Sequence, residues 1–282
     1  MTERQGPVTD SGTPIGTARR LGLSAALLAG SVLTDSAIEH YRGSFQNRAM
    51  YAPLASAALA VGAGLIAMCD PRPAPHRGRS AVNAVAAAVG LAGLGFHIYN
   101  VTKRPGGFSW LNLFYAAPLG APVALTLAGS LGWSAEQLRR QPARGNARLL
   151  GMPAHRALAA VSAVGLAGTA AEAALLHFRG AYHNPAMVLP VAAPPVGAGL
   201  LAWAACSSAP RPRGLARLWL KLTAFLGFAG MGFHAYGVSR NMGGWRNWRQ
   251  NLLNGPPLPA PPSFTALAVA GLAALWLRGD RP

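Results

Sequence analysis

Long apolar runs divided by short basic loops constrain this chain more than any other feature. A helix that crosses a bilayer needs about 20 mostly apolar residues. The sequence offers eight such segments, at 21–40, 49–69, 80–101, 113–133, 156–178, 186–206, 215–238 and 262–278. Charged or proline-rich stretches separate them, among them Asp70 to Arg79, Glu136 to Arg148 and Pro210 to Arg217. The runs are continuous and lack inside–outside alternation, which excludes a membrane β-barrel. Pro53, Pro118, Pro122, Pro190, Pro194 and Pro195 fall inside them; membrane helices tolerate proline where neighbours satisfy the freed carbonyls.

Composition agrees with this reading. Only 12% of residues are charged and 51% are hydrophobic, whereas an average soluble domain is about one quarter charged. A soluble enzyme, a secreted disulfide scaffold and a disordered chain are thereby excluded, and two cysteines cannot make a disulfide framework. The net charge of +17 does not point to nucleic acid, because the cations sit in loops between apolar runs rather than on one face or tail. With the N-terminus, the even-numbered loops and the C-terminus on one side, and Lys221 counted there, that side holds 17 of the 25 Lys and Arg residues. The richer side is the cytoplasmic one. Both termini are therefore expected inside, in a bacterial inner membrane. Arg19-Arg20 precedes an apolar run, but the run continues into Asp35, Glu39 and His40. A retained first helix is expected there, not an export signal.

The sequence repeats itself. His40-Tyr-Arg-Gly-Ser-Phe-Gln-Asn-Arg-Ala-Met50 returns as His177-Phe-Arg-Gly-Ala-Tyr-His-Asn-Pro-Ala-Met187, and Gly95-Phe-His-Ile-Tyr-Asn-Val101 returns as Gly232-Phe-His-Ala-Tyr-Gly-Val238. Gly106-Gly107 matches Gly243-Gly244, Asn112 with Pro118 matches Asn251 with Pro257, and Cys69 matches Cys206. The expected fold is an all-α polytopic membrane protein of eight helices in two tandem, parallel four-helix repeats. The repeats span 21–137 and 156–278, with a cytoplasmic tail at 1–20, a basic linker at 138–155 and a C-terminal tail at 279–282.

Four histidines survive in both halves: His40, His97, His177 and His234. His183 has no counterpart, since Gln46 stands in its place. Each retained histidine lies within about one turn of the outer end of its segment. Asp35 and Glu172 are equivalent, each five residues ahead of its histidine, and Glu39 lies beside them. Ionisable groups within a membrane usually face the bundle interior. Asn47 and Asn184 belong to the same polar layer. Arg42, Arg104, Arg179 and Arg240 follow just outside it.

These residues admit several chemistries. Two helices presenting imidazoles at one depth can hold haem b, with His40 paired to His97 and His177 to His234. The four arginines would then meet the propionates. The small residues one turn below, Ser36, Gly93, Ala173 and Gly230, would leave room for the porphyrin. A quinone or quinol could use the same groups. Alternatively, all four histidines could ligate one metal ion, with Asp35 or Glu172 orienting an imidazole. A proton-coupled transporter would use Asp35, Glu39 and Glu172. A membrane anchor or scaffold would need the histidines and carboxylates only as a hydrogen-bond network, with the glycines allowing close packing. The aromatic outer loops, Gly106 to Trp110 and Gly243 to Trp248, read as an interfacial belt or as a docking surface for a periplasmic redox partner. The basic inner loops need no partner beyond anionic lipid. No hydrolytic, Walker-type or Rossmann motif is present, so no enzymatic activity is assigned.

Overall fold

Capping and turn chemistry decide where the helices of this chain begin and end. The computed structural model describes residues 13–278 except Ala117, residues 142–146 and Ser208. The tail up to residue 12, part of the basic linker and the tail at 279–282 lie outside the described residues. Helix α1 (Pro14–Arg42) starts where the Thr13 hydroxyl accepts from the Gly16 amide at 2.9 Å, with proline in the first turn. After α1 come α2 (Ala52–Cys69), α3 (Arg77–Thr102), the short α4 (Trp110–Tyr115) and α5 (Gly120–Leu138). A two-residue-per-strand hairpin, β1 (Arg148–Leu149) and β2 (Met152–Pro153), leads into α6 (Ala154–Arg179). Then follow α7 (Leu189–Cys206), α8 (Pro210–Arg240), the short α9 (Trp248–Asn254) and α10 (Pro262–Leu277).

The structure corrects one predicted segment. Residues 113–133 are not a single helix: α4 ends at Tyr115 and α5 begins at Gly120. Pro118, which lacks an amide donor, lies in the break. Pro53 and Pro190 stand in the first turns of α2 and α7, and only Pro194 and Pro195 are interior to their helix. The short helices α4 and α9 follow turns built alike. Asn112 Nδ2 donates to the Pro105 and Gly107 carbonyls at 3.0 and 2.7 Å, and Asn251 Nδ2 to those of Met242 and Gly244 at 3.2 and 2.8 Å.

Among the described residues, five helices are long and apolar enough to cross a bilayer: α1, α3, α6, and α2 and α7 with the single 3-10 turns that precede them. The chain has the make-up of a multi-pass helical membrane protein. Its size distribution is that of a lipid-bathed bundle. Buried positions are mostly small, such as Ala18, Ala25, Ala29, Ala57, Ala60 and Ala128, whereas large side chains such as Leu59, Leu91 and Phe225 point outward. Without a hydrophobic drive between helices in lipid, small residues that let backbones approach supply the packing. Gly22 and Gly64 show this at the α1–α2 crossing. A Cβ on Gly22 would lie 2.9 Å from the Gly64 carbonyl oxygen, and one on Gly64 would lie 2.7 Å from that of Gly22.

Helices α1, α2, α3 and α5 pack as a ring, and α6, α7, α8 and α10 form a second ring of the same order. In each ring the first and third helices face each other across the bundle. Helix α10 lies at the seam, packed against α8, α6 and α1, and nearly all of it is buried. That position explains its shortness. A helix of 16 residues is about 24 Å long, and protein rather than lipid surrounds it. Ser24 Oγ crosses the seam to the Ala266 carbonyl at 2.8 Å, and Ser31 bonds both the Pro259 carbonyl and Ser263.

Candidate functional site

The loop after α1 sets the first histidine. Gly43 closes the helix, and the chain then turns through left-handed φ values at Ser44 (56°) and Phe45 (48°). Asn47 Oδ1 accepts from the Ala49 amide at 2.9 Å and opens a 3-10 turn. The Met50 carbonyl thereby arrives 2.7 Å from His40 Nδ1. The second half repeats each step: left-handed Ala181 (55°) and Tyr182 (45°), Asn184 Oδ1 accepting from Ala186 at 2.9 Å, and the Met187 carbonyl 2.7 Å from His177 Nδ1. Non-glycine residues take this conformation only where the surroundings enforce it. Asn47 and Asn184 therefore act on the histidines indirectly, by fixing the turns that deliver the carbonyls.

His97 and His234 are held by the breaks after α4 and α9. The Pro118 carbonyl lies 2.5 Å from His97 Nδ1, and the Pro257 carbonyl 2.7 Å from His234 Nδ1. A carbonyl can only accept, so Nδ1 carries a hydrogen in all four rings, and in the neutral ring the lone pair is on Nε2. Metal-ligating histidines are commonly oriented in this way. His40 and His97 stand on α1 and α3, and His177 and His234 on α6 and α8. The four rings therefore fall into one pair per half, on the helices that face each other across each ring.

Not every expected part of the site lies where the sequence suggested. Gly93 and Gly230 face prolines rather than open space: a Cβ there would lie 3.6 Å from Pro122 and 2.9 Å from Pro261, respectively. These two glycines serve the close approach of α3 to α5 and of α8 to α10. Arg42 pairs with Glu39 at 2.7 Å. Arg179 lies over the Phe114 and Tyr115 rings at 5.1 and 5.9 Å, and Arg240 over Tyr236 at 5.9 Å. Arg104 is exposed. Among the described residues, no group of three or more His, Cys, Asp or Glu side chains is placed to hold a metal ion. Cys69 and Cys206 are free and exposed.

The equivalent carboxylates Asp35 and Glu172 stand on α1 and α6. Glu172 Oε1 accepts from the Gly120 amide, the first of α5, at 3.2 Å. The N-terminus of a helix favours negative charge, and a Cβ on residue 120 would overlap the Glu172 carboxylate where it now lies. Each half also clasps the other at the end that carries the histidines. Arg249 of α9 donates to the Tyr41 hydroxyl of α1, and Phe114 of α4 packs edge-on against Phe178 of α6, ring centroids 5.9 Å apart.

A second polar cluster, where the ends of α2 and α5 meet the start of α3, was not expected from the sequence. Arg79 Nε and the fully buried Glu136 lie 2.8 Å apart, and Arg79 Nη1 reaches Asp70 Oδ2 at 2.9 Å. The His76 amide donates to Glu136 Oε2 at 2.7 Å. Arg139, also buried, donates to the Ala67, Asp70 and Arg72 carbonyls at 2.7, 2.9 and 2.8 Å. It thereby satisfies acceptors that the end of α2 leaves open. The second half keeps one part of this device: Arg278 Nη1 donates to the Ala204 carbonyl at 2.7 Å.

Asp70 gives this cluster a pH dependence. The Arg72 guanidinium above all, with Arg79 beside it, holds the Asp70 carboxyl well below the usual carboxylate range, although burial acts the other way. A carboxylate depressed by folding stabilises above its unfolded pKa, about 3.9. That contribution is lost as the pH falls through its folded value. Asp70→Asn is expected to lower thermal stability at neutral pH and to flatten the acid limb of a stability–pH profile below about pH 4. An unchanged acid limb would assign it to another carboxylate.

The chain matches no protein-family model, no curated protein and no solved structure.

Proposed function

We propose that this chain is an integral membrane electron-transfer subunit of a bacterial inner membrane. In this reading it has two tandem, parallel four-helix units, eight crossings and cytoplasmic termini. His40 with His97, and His177 with His234, would each hold a haem b near the periplasmic face. The observation that carries the proposal is the common state of the four rings. Each has Nδ1 tied to a backbone carbonyl, which leaves Nε2 as the ligating nitrogen, and each half carries two such rings on its first and third long helices. The matching turns, asparagine clamps and helix breaks of the two halves support the duplication.

Haem b bound there would supply one-electron chemistry at a potential set by its ligands and surroundings. The protein's part is orientation. The four carbonyls fix ring direction and tautomer, and α4 and α9 follow the loops at the outer end. Sites on one side of the bilayer cannot by themselves carry electrons across it. The exchange partner would be a periplasmic dehydrogenase or a quinol, and a quinone alone could also use Nε2 as an acceptor. A dithionite-reduced minus oxidised absorption spectrum of the purified protein should show low-spin b-type haem. A colourless and quinone-free preparation from haem-replete cells would leave a membrane scaffold held by a structural histidine network.

One observation favours a second reading, a proton-coupled transporter. Asp35 and Glu172, equivalent in sequence, stand on the first helix of each half, and Glu172 accepts from the Gly120 amide of the other half at 3.2 Å. If solute moves there, the double variant Asp35→Asn/Glu172→Gln should abolish uptake and leave expression intact. Uptake at the parent rate would exclude this role.

A further inference from the structure

The outward ends of α3 and α8 share a feature that electron transfer does not use. On α8, Ala229, Gly232, Phe233 and Tyr236 line an open cavity of about 290 Å³. A side chain at Gly232 would meet nothing within 4 Å, and the same holds for Gly95 on α3. Phe96 and Tyr99 flank Gly95 as Phe233 and Tyr236 flank Gly232, and all four rings are exposed. One turn beyond the tyrosine stands a cation. Lys103 Nζ lies 5.4 Å over the Tyr99 ring, and Arg240 lies 5.9 Å over that of Tyr236, with Nη1 3.4 Å from the Tyr236 hydroxyl. Among the described residues neither cation pairs with a carboxylate, and the nearby Glu39 is bound to Arg42.

We propose that each half carries a site for one anionic phospholipid of the outer leaflet, with its phosphate on Lys103 or Arg240 and an acyl chain over Gly95 or Gly232. Each patch is apolar and open, with a cation over its tyrosine ring at one end. Long cationic side chains near helix ends reach the head-group layer, where an anionic lipid neutralises them. A neutral quinone would leave that charge unanswered, and a zwitterionic lipid would answer it with no net charge. The glycine removes the side chain that would otherwise fill the space between the two rings. The proposal rests on α3 and α8 crossing the bilayer with these ends outward, as proposed above, but not on haem.

Native mass spectrometry of the purified full chain, titrated with phosphatidylglycerol and separately with phosphatidylcholine, tests it. Two phosphatidylglycerol molecules per chain should be retained, and phosphatidylcholine should be lost. Lys103→Gln or Arg240→Gln should leave one, and the double variant none. Gly232→Leu fills the α8 groove with the charge intact and should also leave one. Equal retention of the two lipids, or unchanged phosphatidylglycerol binding in the double variant, would overturn the proposal. So would an isoprenoid quinone that copurifies and is displaced by Gly232→Leu. Haem is weighed in the same spectra, so failure of the redox reading is seen separately. A reporter fusion within 241–256 that reads cytoplasm would overturn the outer-leaflet placement.

Discussion

Glu136→Leu is expected to cost the folded protein about 3–5 kcal/mol, the usual effect of removing one member of a buried ion pair. Glu136 is fully buried, takes Arg79 Nε at 2.8 Å and the His76 amide at 2.7 Å, and lies 3.7 Å from Arg139 Nε. Without it Arg79 keeps Asp70, which also serves Arg72. The second half shows how the charges can be dispensed with, because Ala216 and Leu275 stand at the positions equivalent to Arg79 and Glu136. Arg79→Ala added to Glu136→Leu should therefore recover most of the loss. Unfolding in mixed micelles, followed by circular dichroism, measures both. A loss below about 1 kcal/mol for Glu136→Leu, the scale of a surface pair, would show that this cluster is wet and weak.

That cluster also shows where sequence reasoning stops. Charged residues beside apolar runs read as solvated loop ends, and nothing in their spacing says that three helix ends converge on them. A signal was present all the same: Asp70 and Glu136 are the only acidic residues between Glu39 and Glu172. Carboxylates so scarce, each near an arginine, invite pairing. The helical membrane character was legible because apolar runs of bilayer length have few other uses. The break between α4 and α5 was not, since helices of six and seven residues are too short to show a period. Equivalence told that Asp35 and Glu172 share a depth. That Glu172 takes the Gly120 amide depends on how the halves pack, and sequence spacing within one half carries no information about that. The histidines were found by repetition, but their hydrogen bonds to carbonyls of Met50, Pro118, Met187 and Pro257 depend on turns that only the fold reveals.

His97→Ala carries the second large effect. Its ring is tied to Pro118 and shares the first half with His40, whereas His177 and His234 belong to the second. A low-spin iron with two imidazole ligands loses that state when one ligand is removed. Each half should therefore fail alone. The variant is expected to keep the signal of the second half at full strength, and His234→Ala to keep that of the first. The Pro118 carbonyl, left without its donor, adds a stability loss of about 1–3 kcal/mol, which a structural network would show as well. Stability alone cannot separate the two readings, so the chromophore must.

Haem content per chain, measured on the parent and on His97→Ala purified from haem-replete cells, is the most direct test. Two haems per parent chain and one per variant chain are expected, with none when His234→Ala is added. No haem in the parent, or loss of all haem on the single substitution, would contradict two independent histidine-paired sites.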